Sequence, residues 1–149
     1  MDAKINTLRI KVDLTAAMKA GDALRVSVLR MLLSELNYKK IDLGRELTDE
    51  DAIGVLQKEA KKRREAIASY TAGRRTEQAE SEGRELAILT AYLPQQMSEE
   101  EVRAEIHQEM QKVGQPADFG AAMKVFSPMF RGKADGGMVA RLVKEELGL

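Results

Sequence analysis

Apolar residues recur every three or four positions along most of the chain, and this spacing limits the possible folds more than any other feature. In residues 53–70 the intervals of one stripe are 3, 4, 3, 4 and 3. Because an α-helix has about 3.6 residues per turn, such intervals place the stripe along one side of a helix. Aromatic residues make up only 4% of the chain and β-branched residues are scarce, so strands are disfavoured. The sequence predicts an all-α fold of about seven helices.

Residues that cap or break helices set the bounds of these segments. Side chains able to accept a hydrogen bond from a first turn are predicted N-caps; they are Asp22, Thr48, Ser98, Asp118 and Asp135. Thr48 and Ser98 each precede an acid by three residues, which is typical of a capping box. Glycines, or Pro94, are expected to end the helices. The predicted helices cover residues 2–20, 22–43, 48–71, 76–93, 98–113, 118–130 and 135–147.

A break in the apolar pattern divides the chain into two predicted subdomains. Its 149 residues are enough for one domain or for two small ones. The segment 94–97 interrupts the helical stripes and begins with proline, which disfavours helix in the preceding residue. We therefore expect a helical N-terminal subdomain at residues 1–93, a linker at 94–97 and a three-helix tail subdomain at 98–149.

Few residues in the sequence could support catalysis or metal binding. The chain has no Cys, which excludes thiolate zinc sites and cysteine nucleophiles. His107 is the only histidine, and no carboxylate stands three or four residues from it. We predict no catalytic residue, no metal and no cofactor. No apolar run approaches the roughly 18 residues of a membrane span, so a cytoplasmic protein without a membrane partner is expected.

The glycine-rich segment 132–137 includes Lys133 and has two interpretations. It is not a nucleotide-binding P-loop, because Ser127 replaces the first required glycine and Ala134 replaces the required Ser or Thr. One interpretation is a helix connection in which Asp135 caps the last helix. The other is a small anion site formed by backbone N–H groups and Lys133.

Charge is concentrated in residues 57–75, which we call the basic segment. It holds seven cations and two acids, a local balance of +5 in a chain with zero formal net charge. The segment is either a solvated helix face or a strip that contacts RNA phosphates. The candidate nucleic-acid-binding residues are Lys58, Lys61, Lys62, Arg64, Arg74 and Arg75, together with Lys133 outside the segment.

Arg63 is the exception within the basic segment, because it falls in the apolar stripe. Its helical position is shared with Leu56 and Ile67 rather than with the solvated face. If the third and fourth helices form an antiparallel hairpin, residues 63 and 82 reach nearly the same height. We predict a semi-buried structural ion pair of Arg63 with Glu82, or otherwise with Glu35.

Four ordered blocks of sequence resemble the GatB/YqeY family. They are Arg25–Leu32, Lys58–Glu65 followed by Tyr70, Glu85–Leu89 followed by Tyr92–Pro94, and Gly132–Gly136. The resemblance covers essentially the whole chain and implies a helical N-terminal part with a small three-helix tail. A similar module ends the B subunit of the glutamine-dependent amidotransferase that converts misacylated Glu-tRNA or Asp-tRNA. There it helps to hold tRNA, while amide synthesis and ammonia production occur elsewhere.

The resemblance implies a function for the basic segment. We expect a tRNA-binding or amidotransferase-associated accessory module without its own catalytic site, although the family label implies carbon–nitrogen ligase activity with glutamine as amido donor. Its expected partners are tRNA and components of an amidotransferase or an aminoacyl-tRNA synthetase. The alternative is a helical protein–protein adaptor that does not bind RNA.

Overall fold

The computed structural model describes residues 7–149, and within that range its regular structure is entirely α-helical. The all-α prediction is confirmed. Residues 2–6 of the first predicted helix lie outside the described residues. The seven helices are α1 (Thr7–Ala20), α2 (Ala23–Leu43), α3 (Asp49–Ala72), α4 (Thr76–Thr90), α5 (Glu99–Val113), α6 (Phe119–Phe130) and α7 (Gly136–Leu147).

The predicted N-caps begin the helices as the sequence indicated. The side chains of Asp22, Thr48, Ser98, Asp118 and Asp135 each accept a hydrogen bond from a backbone N–H of the first turn. Thr48 and Ser98 form complete capping boxes, because the acid three residues later accepts a hydrogen bond from the N-cap backbone. These contacts satisfy donors that a helix start otherwise leaves without partners.

The end of the fourth helix differs from its prediction. It lies at Thr90 rather than at residue 93, and Tyr92 and Leu93 continue the helix only as a hydrogen-bonded turn. The α6 helix ends at Phe130 as predicted, and Pro128 does not interrupt it. Proline is tolerated there at the cost of one helical hydrogen bond.

The chain divides into two compact units, one ending at Pro94 and the other running from Gln95 to Leu149. In the N-terminal unit, α2 contacts α1, α3 and α4, and α3 packs most extensively against α4. The fully buried residues of its core are Ile10, Val28, Leu29, Leu32, Leu56 and Leu89.

A polar contact also connects α1 to the turn that follows α4. The Tyr92 hydroxyl donates a hydrogen bond to the Asp13 carboxylate at 2.5 Å, and the Arg9 guanidinium lies 5.2 Å from the Tyr92 ring centre. Burial, followed by the Asp13 carboxylate, raises the pKa of Tyr92 to about 12.

The C-terminal unit contains α5, α6 and α7, with α7 packed against both other helices. Its fully buried residues include Val102, Ile106, Phe126, Val139 and Leu142. Gln96 and Met97, which the sequence analysis assigned to a linker, hydrogen bond to the backbone carbonyls of Gly132 and Lys133 at 2.7 and 2.8 Å. These two bonds hold the segment before α5 against the connection between α6 and α7.

Candidate nucleic-acid interface

Three lysines of the basic segment share one exposed side of α3. Lys58, Lys61 and Lys62 are all exposed, and residues three and four apart lie on the same side of a helix. Lys62 forms an ion pair with Glu59 at 3.1 Å, which offsets part of its charge. Lys58 and Lys61 form no ion pair within residues 7–149. This side of α3 therefore presents two ammonium groups to solvent without a direct ion pair, and the exposed Glu65 is the one acid on the same side.

Arg64 differs from the three lysines because its side chain is half-buried. It lies about 120° around the helix axis from Lys58, since it stands six residues later and each residue advances by about 100°. The structure thus joins the three lysines on one face and gives Arg64 a less accessible position.

Arg74 and Arg75 lie in the turn between α3 and α4, and both are exposed. Lys61 is separated from the end of α3 at Ala72 by a helical rise of about 16 Å.

Arg74 has φ 57°, and it is the sole non-glycine residue with positive φ among residues 7–149. The preceding glycine, Gly73, has an ordinary φ of −84° although the sequence indicated glycine as the helix stop. A bulky residue thus takes the left-handed conformation that usually favours glycine.

Lys133 lies in the C-terminal unit, exposed in the connection between α6 and α7. The backbone N–H groups of Lys133 and Ala134 both donate to the carbonyl of Phe130. They are therefore not available to an anion, and Asp135 places its carboxylate on the first turn of α7. Asp135 caps α7 as the helix-connection interpretation predicts, and an anion site at Lys133 stays a prediction that excludes these two N–H groups.

The predicted partners of Arg63 were wrong. Its guanidinium pairs with Glu59 at 2.8 Å, rather than with Glu82 or Glu35. Glu59 is only 3% exposed and Arg63 15% exposed, so this is a buried ion pair within α3. The reason is that residues four apart differ by only about 40° around a helix, so Glu59 shares the buried side of Arg63. Within residues 7–149 the Nε atom of Arg63 is buried without a hydrogen-bond partner.

The predicted α3–α4 contact is present, but with a different acid near Arg63. Burial raises the pKa of Glu85, the neighbouring Glu82 raises it further, and the positive charge of Arg63 opposes both effects. The charge of Arg63 thus acts on Glu85 of α4, three residues after the predicted partner Glu82.

The structure also forms a groove that the sequence analysis missed. It lies between α2 and α3, has a volume of about 740 Å³ and is lined by Tyr38 and Lys39 on one side and Val55 and Lys58 on the other. On α2 the groove is exposed, because Tyr38 is 66% and Ile41 67% exposed. Polar residues at helical spacing in residues 35–42 were the sequence signal for this side.

His107 has a partner that helical neighbours alone could not reveal. Its Nδ1 lies 3.3 Å from a carboxylate oxygen of Glu146, contributed by α7, and Gln111 contacts its Nε2. No group of three or more His, Cys, Asp or Glu residues suited to a metal ion occurs among residues 7–149. Over the same range, no helix is both long and apolar enough to span a bilayer.

Comparison with known proteins identifies the family. The family described as Yqey-like protein matches residues 7–147. An uncharacterized protein of Schizosaccharomyces pombe is 33% identical over 89 residues, which cover 60% of this chain and 72% of that protein. Altered inheritance of mitochondria protein 41, mitochondrial, from Vanderwaltozyma polyspora is 33% identical over 87 residues, which cover 58% of this chain and 47% of that protein. The match therefore spans less than half the length of the second relative. Because the family match extends over nearly all of the helical structure, the chain belongs to the YqeY-like protein family.

Proposed function

We propose that this protein is a tRNA-binding accessory module that contacts RNA phosphates through the exposed side of α3 and has no catalytic site of its own. The observation that carries the proposal is the placement of Lys58 and Lys61, which share an exposed side and form no ion pair within residues 7–149. Clustered cations attract a polyanion locally even though the whole chain has zero formal net charge. Arg74 and Arg75 supply a second pair of exposed cations at the end of the same helix.

The backbone at Arg74 supports a functional role for that residue. A non-glycine residue in the left-handed region costs roughly 1–2 kcal/mol, and such strain is frequent at binding sites. The residue before Arg74 is Gly73. If the two were exchanged in the sequence, glycine would occupy the left-handed position and the turn would be less strained. The strain is consistent with selection for a cation at this position.

The resemblance to the amidotransferase B-subunit module supports tRNA as the polyanion. Under this proposal the carbon–nitrogen ligase chemistry belongs to partner subunits, such as an amidotransferase or an aminoacyl-tRNA synthetase. The module acts where that tRNA is used, in the cytoplasm, or in mitochondria as the name of one relative would imply.

The decisive measurement is the salt dependence of tRNA binding by the full chain. Each phosphate contact contributes about 0.7–0.9 to the slope of log K against log salt. We expect Lys58→Gln/Lys61→Gln to lower this slope by about 1.4–1.8 and to weaken different tRNAs equally. Lys11→Gln/Lys19→Gln is the matched control, because these two exposed lysines lie on α1, and it should leave the slope unchanged.

Two results would decide against the proposal. One is the absence of saturable tRNA binding at low salt; the other is an equal loss of slope in the α1 control. A protein partner retained after nuclease treatment and at high salt, together with no tRNA binding, would favour the adaptor function.

Lys133→Gln tests the C-terminal unit separately and is expected to lower the slope by about 0.7–0.9 if this lysine contacts a phosphate.

Arg74→Gly separates the functional from the structural role of the turn. Glycine relieves the left-handed strain, so unfolding of the N-terminal unit should become less favourable by up to about 1 kcal/mol. At the same time tRNA affinity should fall, because a cation is lost. A variant that gains stability and keeps full affinity would remove Arg74 from the proposed interface.

A further inference from the structure

We infer that the groove between α2 and α3 holds an unpaired base of the bound RNA, stacked on Tyr38. This inference rests on the proposed function and extends it from phosphate contact to base contact. Tyr38 is 66% exposed and lines a groove of about 740 Å³, a volume within the range of small-molecule sites. An exposed aromatic ring beside cations is the usual arrangement for binding single-stranded nucleic acid.

Cations stand on both sides of this groove. Lys39 is on α2 next to Tyr38 in sequence, and Lys58 is on α3 at the start of the lysine face. Neither lysine forms an ion pair within residues 7–149. Lys58 belongs both to the groove and to the lysine face, so an RNA strand held by that face passes beside Tyr38.

The carboxylates of the groove favour a base, rather than a phosphate, in its interior. Asp51 is paired with Arg45 at 2.6 Å, and Glu59 is paired with Arg63 and Lys62, so their charges are offset. Glu35 and Asp42 form no ion pair within residues 7–149, and Glu50 adds a fifth carboxylate to the lining. Negative groups inside the groove repel phosphate, whereas a neutral base can place its amino or imino N–H groups toward them.

The experiment uses the full chain and a short single-stranded RNA that contains 2-aminopurine, with the same strand annealed to its complement as a blunt-ended duplex for the control RNA. The wild-type protein should bind the single strand more tightly and quench its fluorescence. Tyr38→Ala should weaken single-strand binding about 5- to 150-fold and abolish the quenching. Tyr38→Phe, which keeps the ring, should bind within about twofold of wild type.

Ile41→Ala is the comparison variant within the groove, because Ile41 is 67% exposed there but has no aromatic ring to stack on a base. It should weaken binding of single-stranded RNA much less than Tyr38→Ala. Lys39→Gln should lower the salt slope by about 0.7, the value of one single-strand phosphate contact. Equal losses with Tyr38→Ala and Ile41→Ala would indicate a general apolar surface, as for a protein partner, and would overturn the inference.

The result also separates this inference from the proposed function. Unchanged binding and quenching by Tyr38→Ala, while Lys58→Gln/Lys61→Gln still lowers the salt slope for tRNA, would overturn only the base site. Absence of binding to tRNA and to single-stranded RNA by the wild type would overturn both.

Discussion

Arg63→Ala would leave the buried Glu59 carboxylate with Lys62 as its remaining ion-pair partner. The Glu59 side chain is 3% exposed, and one of its carboxylate oxygens lies 2.8 Å from the Arg63 guanidinium. The Lys62 ammonium lies 3.1 Å from the other carboxylate oxygen, but the Lys62 side chain is 53% exposed. Removing one member of a buried pair costs about 3–5 kcal/mol, because the other charge stays buried without compensation. Since Lys62 retains part of the compensation, we expect a cost of about 3 kcal/mol in the free energy of unfolding.

Tyrosine fluorescence during urea unfolding measures this effect in the N-terminal unit alone. The chain has three tyrosines and no tryptophan, and Tyr38, Tyr70 and Tyr92 all precede the boundary at Pro94. A signal confined to one unit avoids the error of treating two units as a single two-state transition. For a unit of this size, 3 kcal/mol corresponds to a fall of roughly 12–24 °C in Tm.

A double-mutant cycle distinguishes a stranded charge from simple loss of packing. Glu59→Ala/Arg63→Ala should be less destabilised than the sum of the two single variants, because neither charge is left without the other. Lys61→Ala, which changes an exposed neighbour, should stay within about 0.5 kcal/mol of wild type. The reasoning is refuted if Arg63→Ala behaves like Lys61→Ala, or if the two single effects add.

Three further predictions concern other contacts. The folded pKa of Tyr92, about 12, lies above the unfolded value of about 10. Stability from its neutral, buried hydroxyl is therefore complete below pH 10 and is lost as pH rises toward 12; Tyr92→Phe should remove this loss in unfolding measurements across that range. The pKa of Glu85 is raised by burial and by Glu82, so its ionisation destabilises the fold as pH rises through the folded value. Glu85→Gln should be more stable than wild type at neutral pH, and the gain should vanish in acid below the unfolded pKa. Gly132→Ala, at φ 79°, should cost roughly 1–2 kcal/mol and speed amide exchange at Met97, whose N–H donates to Lys133.

Most of the fold was predictable because its signals are local. An N-cap such as Asp22 or Ser98 and the periodicity that follows it act within a few residues, and the structure places those helix starts as predicted. The end of α4 was not predicted correctly, because Tyr92 continues the apolar pattern although its backbone has left the helix. Periodicity detects burial, and the buried turn after Thr90 satisfies it as well as a helix would.

The candidate site divides in the same way between local and tertiary features. The lysine face of α3 follows from the spacing of Lys58, Lys61 and Lys62 alone. The Glu59–Arg63 pair is also encoded locally, because Glu59 stands four residues before Arg63, which the sequence placed in the buried stripe. Residues four apart lie on the same side of a helix, so this partner of Arg63 could have been found from the sequence.

The groove could not be predicted in this way, because its two sides come from different helices. Tyr38 and Lys58 are 20 positions apart in sequence and meet only after α2 and α3 pack. Helical spacing within α2 indicates which residues share its polar side, but it does not indicate which side of α3 they face.

The local placement of charges explains how a chain with zero formal net charge can still attract a polyanion. Several acids are paired with arginines: Glu59 is buried against Arg63, Asp51 is held by Arg45, and acids of the α5–α7 surface pair with arginines. Because each such pair removes one positive and one negative charge, the charge of the lysine face comes from Lys58 and Lys61, which form no ion pair within residues 7–149. This face lies about 16 Å along α3 from the end that leads into Arg74, which exceeds the Debye length of about 8 Å at physiological salt. The two groups of cations consequently act as separate phosphate contacts, and their contributions to RNA affinity add.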